Sequence, residues 1–433
     1  MASYQTYTTV GDMGPWVSKL VLDLPSAVRA EDVTPAGFSV YVERMDLERG
    51  QVALTAEHHG MPLRPSRGYV PVRAAYPCSA AGKPQPASDH VALELPEIRL
   101  TKRIDGDVMR GYIRGLEYRV TQTAALPATD PDDAPTVGLV WDDCAGDLCP
   151  QLDGWHLDGH GTYAGTELNF GWYEPNVAAV NAFRAQPGFF HDEPLPDKLP
   201  LVVWLHGAGE GQEPYRSVCG NKAVALGEPD IQGKLGGAAW VLVPSSPTFW
   251  MDPDGAGELV DDNQSCYVAA LKALIDAFVA AHADAIDRGR IYIGGLSNGG
   301  FMTCRMIADY PGFFAAAVPV CAPWVGELAT ADEYAAMART PQWWVQVSDD
   351  PIVRPETHLK AAWPQLQAAG AKELHATYYD HIEDAEGKHL IGHFVWIQAY
   401  NDDPRTDLDG SLVRGADGFP VTLWQWVGQQ RLA

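Results

Sequence analysis

Basic residues are scarce in this chain. Against 56 Asp and Glu stand only 31 Lys and Arg, a formal net charge of −25 over 433 residues. Phosphate backbones and anionic membranes call for concentrated positive charge, so nucleic-acid and membrane-surface partners are not expected. Long apolar runs are also missing, and no stretch approaches the ~20 residues that span a bilayer. The opening Met1-Ala-Ser-Tyr-Gln-Thr-Tyr has neither the basic nor the apolar region of a secretion signal. Cysteine is sparse and odd in number: 78, 144, 149, 219, 266, 304 and 321. Reduced thiols in a cytoplasmic protein fit this better than a disulfide framework. Cys144-x4-Cys149 lacks a second pair at zinc spacing. His58-His59 falls in an expected turn, and Gly154 and Gly159 deny His156-x3-His160 a helix, so solvated loop histidines are expected there. No metal site is expected among these residues.

What is present suits a water-soluble globular protein, with 46% hydrophobic and 20% charged residues. A chain this long exceeds one ordinary core, and two domains are expected. Residues 1–165 read as all-β. Short alternating runs such as Phe38-Ser-Val-Tyr-Val and His90-Val-Ala-Leu-Glu-Leu recur between Gly, Pro, Asp and Ser clusters, as in a β-sandwich. Residues 166–433 change texture. Phe170 to Pro175 reads as the first strand of the second domain. Buried-type runs (Leu201-Val-Val-Trp-Leu, Ala239-Trp-Val-Leu-Val, Phe314 to Val320, Trp343-Trp-Val-Gln-Val) alternate with helical segments, which predicts a mostly parallel sheet covered on both faces.

The second domain is organised around Arg290-Ile-Tyr-Ile-Gly-Gly-Leu-Ser-Asn-Gly-Gly-Phe-Met-Thr. A β-branched strand, a glycine-flanked turn and an amphipathic helix surround Gly295-Leu296-Ser297-Asn298-Gly299, a G-x-S-x-G pattern. A strand turning abruptly into a helix leaves no room for a Cβ two residues either side of the apex. The apex itself is forced toward positive φ, which lifts the Ser297 hydroxyl clear of the sheet. The N–H of Asn298 and the helix dipole then favour negative charge beside it.

A serine needs a base, and the base an orienting acid, in the chain order serine, acid, histidine. Asp349-Asp350 ends the strand Trp343 to Val347; Asp350 is favoured and Asp349 is the alternative. Of five later histidines, His358 and His375 read as structural. His381 ends a strand, and His393 leads over His389 because its loop opens a helix. His206-Gly-Ala-Gly-Glu-Gly211 follows an early strand and supplies a second oxyanion amide, from Ala208 or alternatively Gly209.

These segments, with Val243-Pro-Ser-Ser-Pro-Thr-Phe-Trp, Asp350-Pro-Ile-Val and Gly392-His-Phe-Val-Trp396, resemble two-domain α/β-hydrolase esterases with an N-terminal immunoglobulin-like domain. That group is related to polyhydroxybutyrate-depolymerase-like and prolyl-oligopeptidase-like serine hydrolases. The resemblance covers the chain from about 165 onward; before that it rests mainly on domain order. It implies Ser297 as nucleophile, Asp350 as acid, His393 as base, and hydrolysis of small carboxylic esters through an acyl-enzyme without cofactor. Trp250 and Trp324 follow segments that approach the active site in this family. As aromatic walls they would suit aryl or hydroxycinnamoyl esters, as in a feruloyl esterase; as core residues they would carry no such meaning. A prolyl or acyl-peptide peptidase is the rival reading, although those enzymes carry a propeller whose repeat is absent here. A non-catalytic glycan-binding protein is the third. The sandwich itself reads as a lid support or a contact in a homo-oligomer.

Overall fold

The computed structural model describes residues 2–46, 49–55, 62–100, 115–185, 194–384 and 386–432. His58 and His59 lie outside them. The chain parts into two compact units, Met1–Asp153 and Gly154–Ala433.

The first unit is a β-structure built on two five-stranded sheets, with Leu54–Thr55 and Arg64–Pro65 forming a separate two-stranded pair. One sheet runs in the order Asp143–Leu148, Ser3–Gly11, Gly14–Arg29, Ala87–Arg99, Ala74–Pro77; the other runs Val140–Trp141, Leu116–Gln122, Phe38–Asp46, Gln51–Val52, with Arg67–Val70 also paired to Phe38–Asp46. Alternation builds the core. Leu116–Gln122 buries every second residue, and so does Phe38–Asp46 through Val42. Val17, Leu20, Leu22, Val40, Val42, Val91, Leu93, Tyr118 and Trp141 interlock in one cluster. Trp141 is fully buried yet satisfied, its indole N–H donating to Asp23 O at 2.8 Å. The apolar run Gly68 to Tyr76, which reads as one strand in sequence, divides at 71–73 into two that join different sheets. Pro71 lies at that break, where it lacks an N–H for either ladder.

The second unit contains an eight-stranded sheet. Its strands are β1 (Trp155–Tyr163), β2 (Thr166–Tyr173), β3 (Leu199–Leu205), β4 (Trp240–Ser245), β5 (Ile286–Leu296), β6 (Ala316–Val320), β7 (Gln342–Val347) and β8 (Leu374–Tyr379). They lie in the order β1-β2-β4-β3-β5-β6-β7-β8. The pairs β1/β2 and β2/β4 are antiparallel; the remaining pairs are parallel. Every residue of β3, β4, β6 and β7 is buried, as a sheet covered on both faces requires. Among the covering helices are α1 (Val268–Ala281), α2 (Asn298–Asp309) and α3 (Leu359–Ala368).

The second unit takes up the chain earlier than residue 165, because β1 belongs to its sheet. His156 and His160, expected in a loop, lie on this strand. The glycines that rule out a helix do not rule out a strand here: a Cβ on Gly159 would sit 2.5 Å from the Phe170 ring, so this pairing with β2 requires glycine. Both histidines are exposed, and His156 stacks on Trp172 at 4.5 Å.

Candidate active site

The turn between β5 and α2 is as sharp as its glycines imply. Ser297 has φ 52° and ψ −117°, a region non-glycine residues rarely adopt. Its N–H donates to Val320 O at 2.9 Å, and Phe301 N–H returns to Ser297 O at 3.0 Å, so both sides of the strained residue are pinned. A Cβ on Gly295 would stand 2.6 Å from Leu205 O and 2.7 Å from Gly299 O. One on Gly299 would run into the backbone of Leu205 and His206. The start of the 206–211 loop is therefore packed directly against the elbow.

Neighbouring strand ends bring in the other two residues. β6 pairs with both β5 and β7, and Asp350 follows β7. His393 sits in a single 3-10 turn, Gly392–Phe394, beyond β8. Its Nε2 lies 3.0 Å from Ser297 Oγ, and its Nδ1 lies 2.9 Å from Asp350 Oδ2 and 3.1 Å from Oδ1. The Asp350 carboxylate is buried and also accepts the N–H groups of Ile352 and Val353, each at 2.9 Å. The Trp396 ring meets the imidazole edge-on at 5.3 Å. Asp349 turns elsewhere, to Nε2 of the exposed His389 at 2.9 Å. Each aspartate of the pair thus holds its own histidine. Gly392 lets the histidine turn close onto Asp349, where a Cβ would collide. His358 is buried, His375 pairs with Asp407 at 2.9 Å, and His381 stacks on His389 at 5.3 Å.

The 206–211 loop is held by groups that the sequence reading passed over. Ser246 N–H donates to His206 Nε2 at 3.0 Å, so the proton sits on Nδ1, which donates to Gly207 O at 2.7 Å. Burial lowers the pKa of this imidazole to about 4, and it stays neutral. Glu210 accepts the Gly207 N–H at 2.9 Å, and burial raises its pKa to about 7. Arg216 donates to Gly209 O at 2.5 Å. Ala208 is thus bracketed on both sides while its own N–H makes no backbone hydrogen bond within the described residues. The signal that could have found these groups was an acid and a histidine within one glycine-rich loop, since neither is favoured there unless satisfied. The Asn298 side chain is buried, with Oδ1 accepting the backbone N–H of Trp250 at 2.6 Å, and its own backbone N–H lies at the start of the helix beside the serine. As the first helical residue of α2 it has no intrahelical acceptor.

Trp250 and Trp324, offered above as cleft walls, have no exposed surface and belong to the core cluster. Trp250 packs on His206 at 5.2 Å; Trp324 stacks on Phe301 at 6.2 Å with the Arg305 guanidinium 5.5 Å over it. Covered rings cannot form a ligand wall. They support the 206–211 loop and α2 from behind. A groove of about 670 Å³ is lined by Glu167, Asn169, Gln212, Asp254, Cys266 and Tyr267 among others, but not by Ser297, Asp350 or His393.

A doubly covered, mostly parallel sheet with a strained serine at its central strand end and a buried aspartate–histidine pair reaching it defines the α/β-hydrolase fold. Residues 3–132 match the family described as the esterase Ig-like N-terminal domain, and residues 265–352 match the prolyl oligopeptidase family. The second unit thus has the α/β-hydrolase fold, and the residues before it in the chain match an esterase-type immunoglobulin-like domain. Among curated relatives, poly(3-hydroxyalkanoate) depolymerase C of Paucimonas lemoignei is 31% identical over 161 residues, covering 33% of this chain and 34% of that protein. The chain spans about a third of the length of the curated relatives it matches. Among solved structures, that of a thermostable esterase superimposes with a TM-score of 0.71 at 22% identity, covering 99% of both chains. No helix among the described residues is long and apolar enough to cross a membrane.

Proposed function

We propose that this protein is a serine carboxylesterase that hydrolyses small carboxylic esters through an acyl-enzyme. The observation that carries the reading is the hydrogen-bonded line from Ser297 Oγ to His393 and on to Asp350, with the serine at positive φ. In this reading His393 Nε2 takes the Ser297 proton as Oγ attacks the ester carbonyl. Asp350 holds the Nδ1 proton in place and stabilises the imidazolium. The backbone N–H groups of Ala208 and Asn298 receive the oxyanion. The imidazolium then protonates the leaving alcohol, and the neutral ring activates water to cleave the acyl-enzyme. Neither step calls on a cofactor.

The acyl group is aliphatic in this proposal. With Trp250 and Trp324 covered, the aromatic-wall argument for hydroxycinnamoyl esters falls away. Ile352 and Ile391, close in sequence to Asp350 and His393, are instead 66% and 55% exposed. A p-nitrophenyl ester series from acetate to decanoate, with methyl ferulate alongside, tests this. Turnover of the short aliphatic esters, abolished in Ser297→Ala, is expected; activity that survives the substitution would end the proposal.

The match of residues 265–352 to the prolyl oligopeptidase family favours a second reading, a peptidase using the same residues. An aminoacyl-p-nitroanilide cleaved faster than the esters would select it.

A further inference from the structure

Behind the histidine lies a thiol with no part in the chemistry above. Cys321 follows β6 immediately, is completely buried and has φ 38°, a second strained residue beside Ser297. Its N–H donates to Val345 O at 2.9 Å, which fixes it between the ends of β6 and β7. The Cys321 sulfur, an Asp350 oxygen and a His393 nitrogen lie within 4.8 Å of one another. Nδ1 is the nitrogen on the Asp350 side, so the three groups converge on the hydrogen bond that orients the base.

We propose that Cys321, Asp350 and His393 Nδ1 form an inhibitory site for a thiophilic divalent cation such as Zn²⁺ or Cd²⁺. The proposal rests on the reading of His393 as the catalytic base, since inhibition follows only from that role. Tetrahedral coordination at ordinary Zn–S, Zn–N and Zn–O lengths sets ligand atoms about 3.5 Å apart, within reach of small side-chain shifts from the present spacing. Soft sulfur with imidazole and a single carboxylate selects zinc-like ions over Mg²⁺ or Ca²⁺.

Charge also balances. The thiol loses one proton to solvent, and the thiolate and carboxylate neutralise the dication within a buried space. With the ion on Nδ1, the ring proton moves to Nε2. That nitrogen then donates toward Ser297 instead of accepting from it, and the serine has lost its base.

The test reads binding and inhibition separately. Cd²⁺ is titrated into Ser297→Ala protein, and the ultraviolet thiolate-to-cadmium charge-transfer band is followed with and without Cys321→Ser. Loss of one equivalent of the band in the double variant is expected, and it is read whether or not the protein is an esterase. On the Ser297 background, Zn²⁺ should inhibit ester hydrolysis reversibly with EDTA. Cys321→Ser should keep its metal-free turnover and require at least about tenfold more Zn²⁺. Cys321→Ala serves if the serine variant misfolds by circular dichroism. An unchanged band in the double variant would place the metal on other thiols and overturn the site. Loss of the band in the double variant together with equal zinc sensitivity in Cys321→Ser and wild type would overturn the inhibition.

Discussion

Replacing Asp350 by Asn keeps the size of the side chain and changes which atom faces His393. In the native arrangement Oδ1 already accepts two backbone N–H groups, from Ile352 and Val353. An asparagine would keep its oxygen there, because those donors are buried and fixed, and would present its NH₂ to His393 Nδ1. A donor facing Nδ1 moves the ring proton to Nε2, the wrong tautomer for taking a proton from Ser297. A tautomer error of this kind lowers kcat by about 10⁴, equivalent to about 5 kcal/mol in the barrier. Asp349→Asn is the internal control. Its partnership with His389 is well exposed, at 33% and 59%, and such pairs contribute under about 1 kcal/mol. Turnover of p-nitrophenyl butyrate by the two variants, with thermal midpoints measured alongside, should therefore differ by about three orders of magnitude or more. Equal losses, or a larger loss in Asp349→Asn, would refute the assignment of Asp350.

The loop clamp should show in the pH dependence of stability. His206 has a folded pKa of about 4, below its ordinary 6.5, so its contribution is complete above pH 6.5 and lost as pH falls toward 4. The difference is about 3 kcal/mol, and chemical denaturation of His206→Gln against wild type should register it as a gap narrowing across that window. Glu210 has the opposite sign: its folded pKa of about 7 exceeds 4.5, so its contribution is complete below pH 4.5 and lost as pH rises through about 7. Glu210→Gln should accordingly gain stability on wild type over that range, and a gain at acid pH instead would contradict the buried-carboxylate account. Trp324→Ala should cost about 3–5 kcal/mol, as for any large buried ring, while KM for small esters in the surviving folded fraction stays within about twofold. A selective rise in KM without loss of stability would return that ring to the substrate.

The elbow was legible because sterics write it into sequence: glycines flank the serine wherever a strand reverses into a helix, and Gly295 and Gly299 have no alternative here. The strand alternation of the second unit was legible for the same kind of reason, since doubly buried strands must be continuously apolar. The β1 histidines were misread because Gly159 signals a helix breaker in isolation, and only the Phe170 ring opposite shows it as a strand residue. Trp250 and Trp324 were ambiguous because proximity in sequence to a site says nothing of which way a ring faces. Glu210, His206 and Cys321 depend on tertiary burial and on partners distant in the chain, which no local pattern encodes.

The central claim is that Ser297 is an activated nucleophile. A fluorophosphonate probe, which phosphonylates an activated serine oxygen with loss of fluoride, followed by peptide mapping in a mass spectrometer, addresses it most directly. The account predicts one adduct per chain, on the peptide containing Ser297, and none in Ser297→Ala or in His393→Ala. An adduct on another serine, or undiminished labelling of Ser297→Ala, would contradict it.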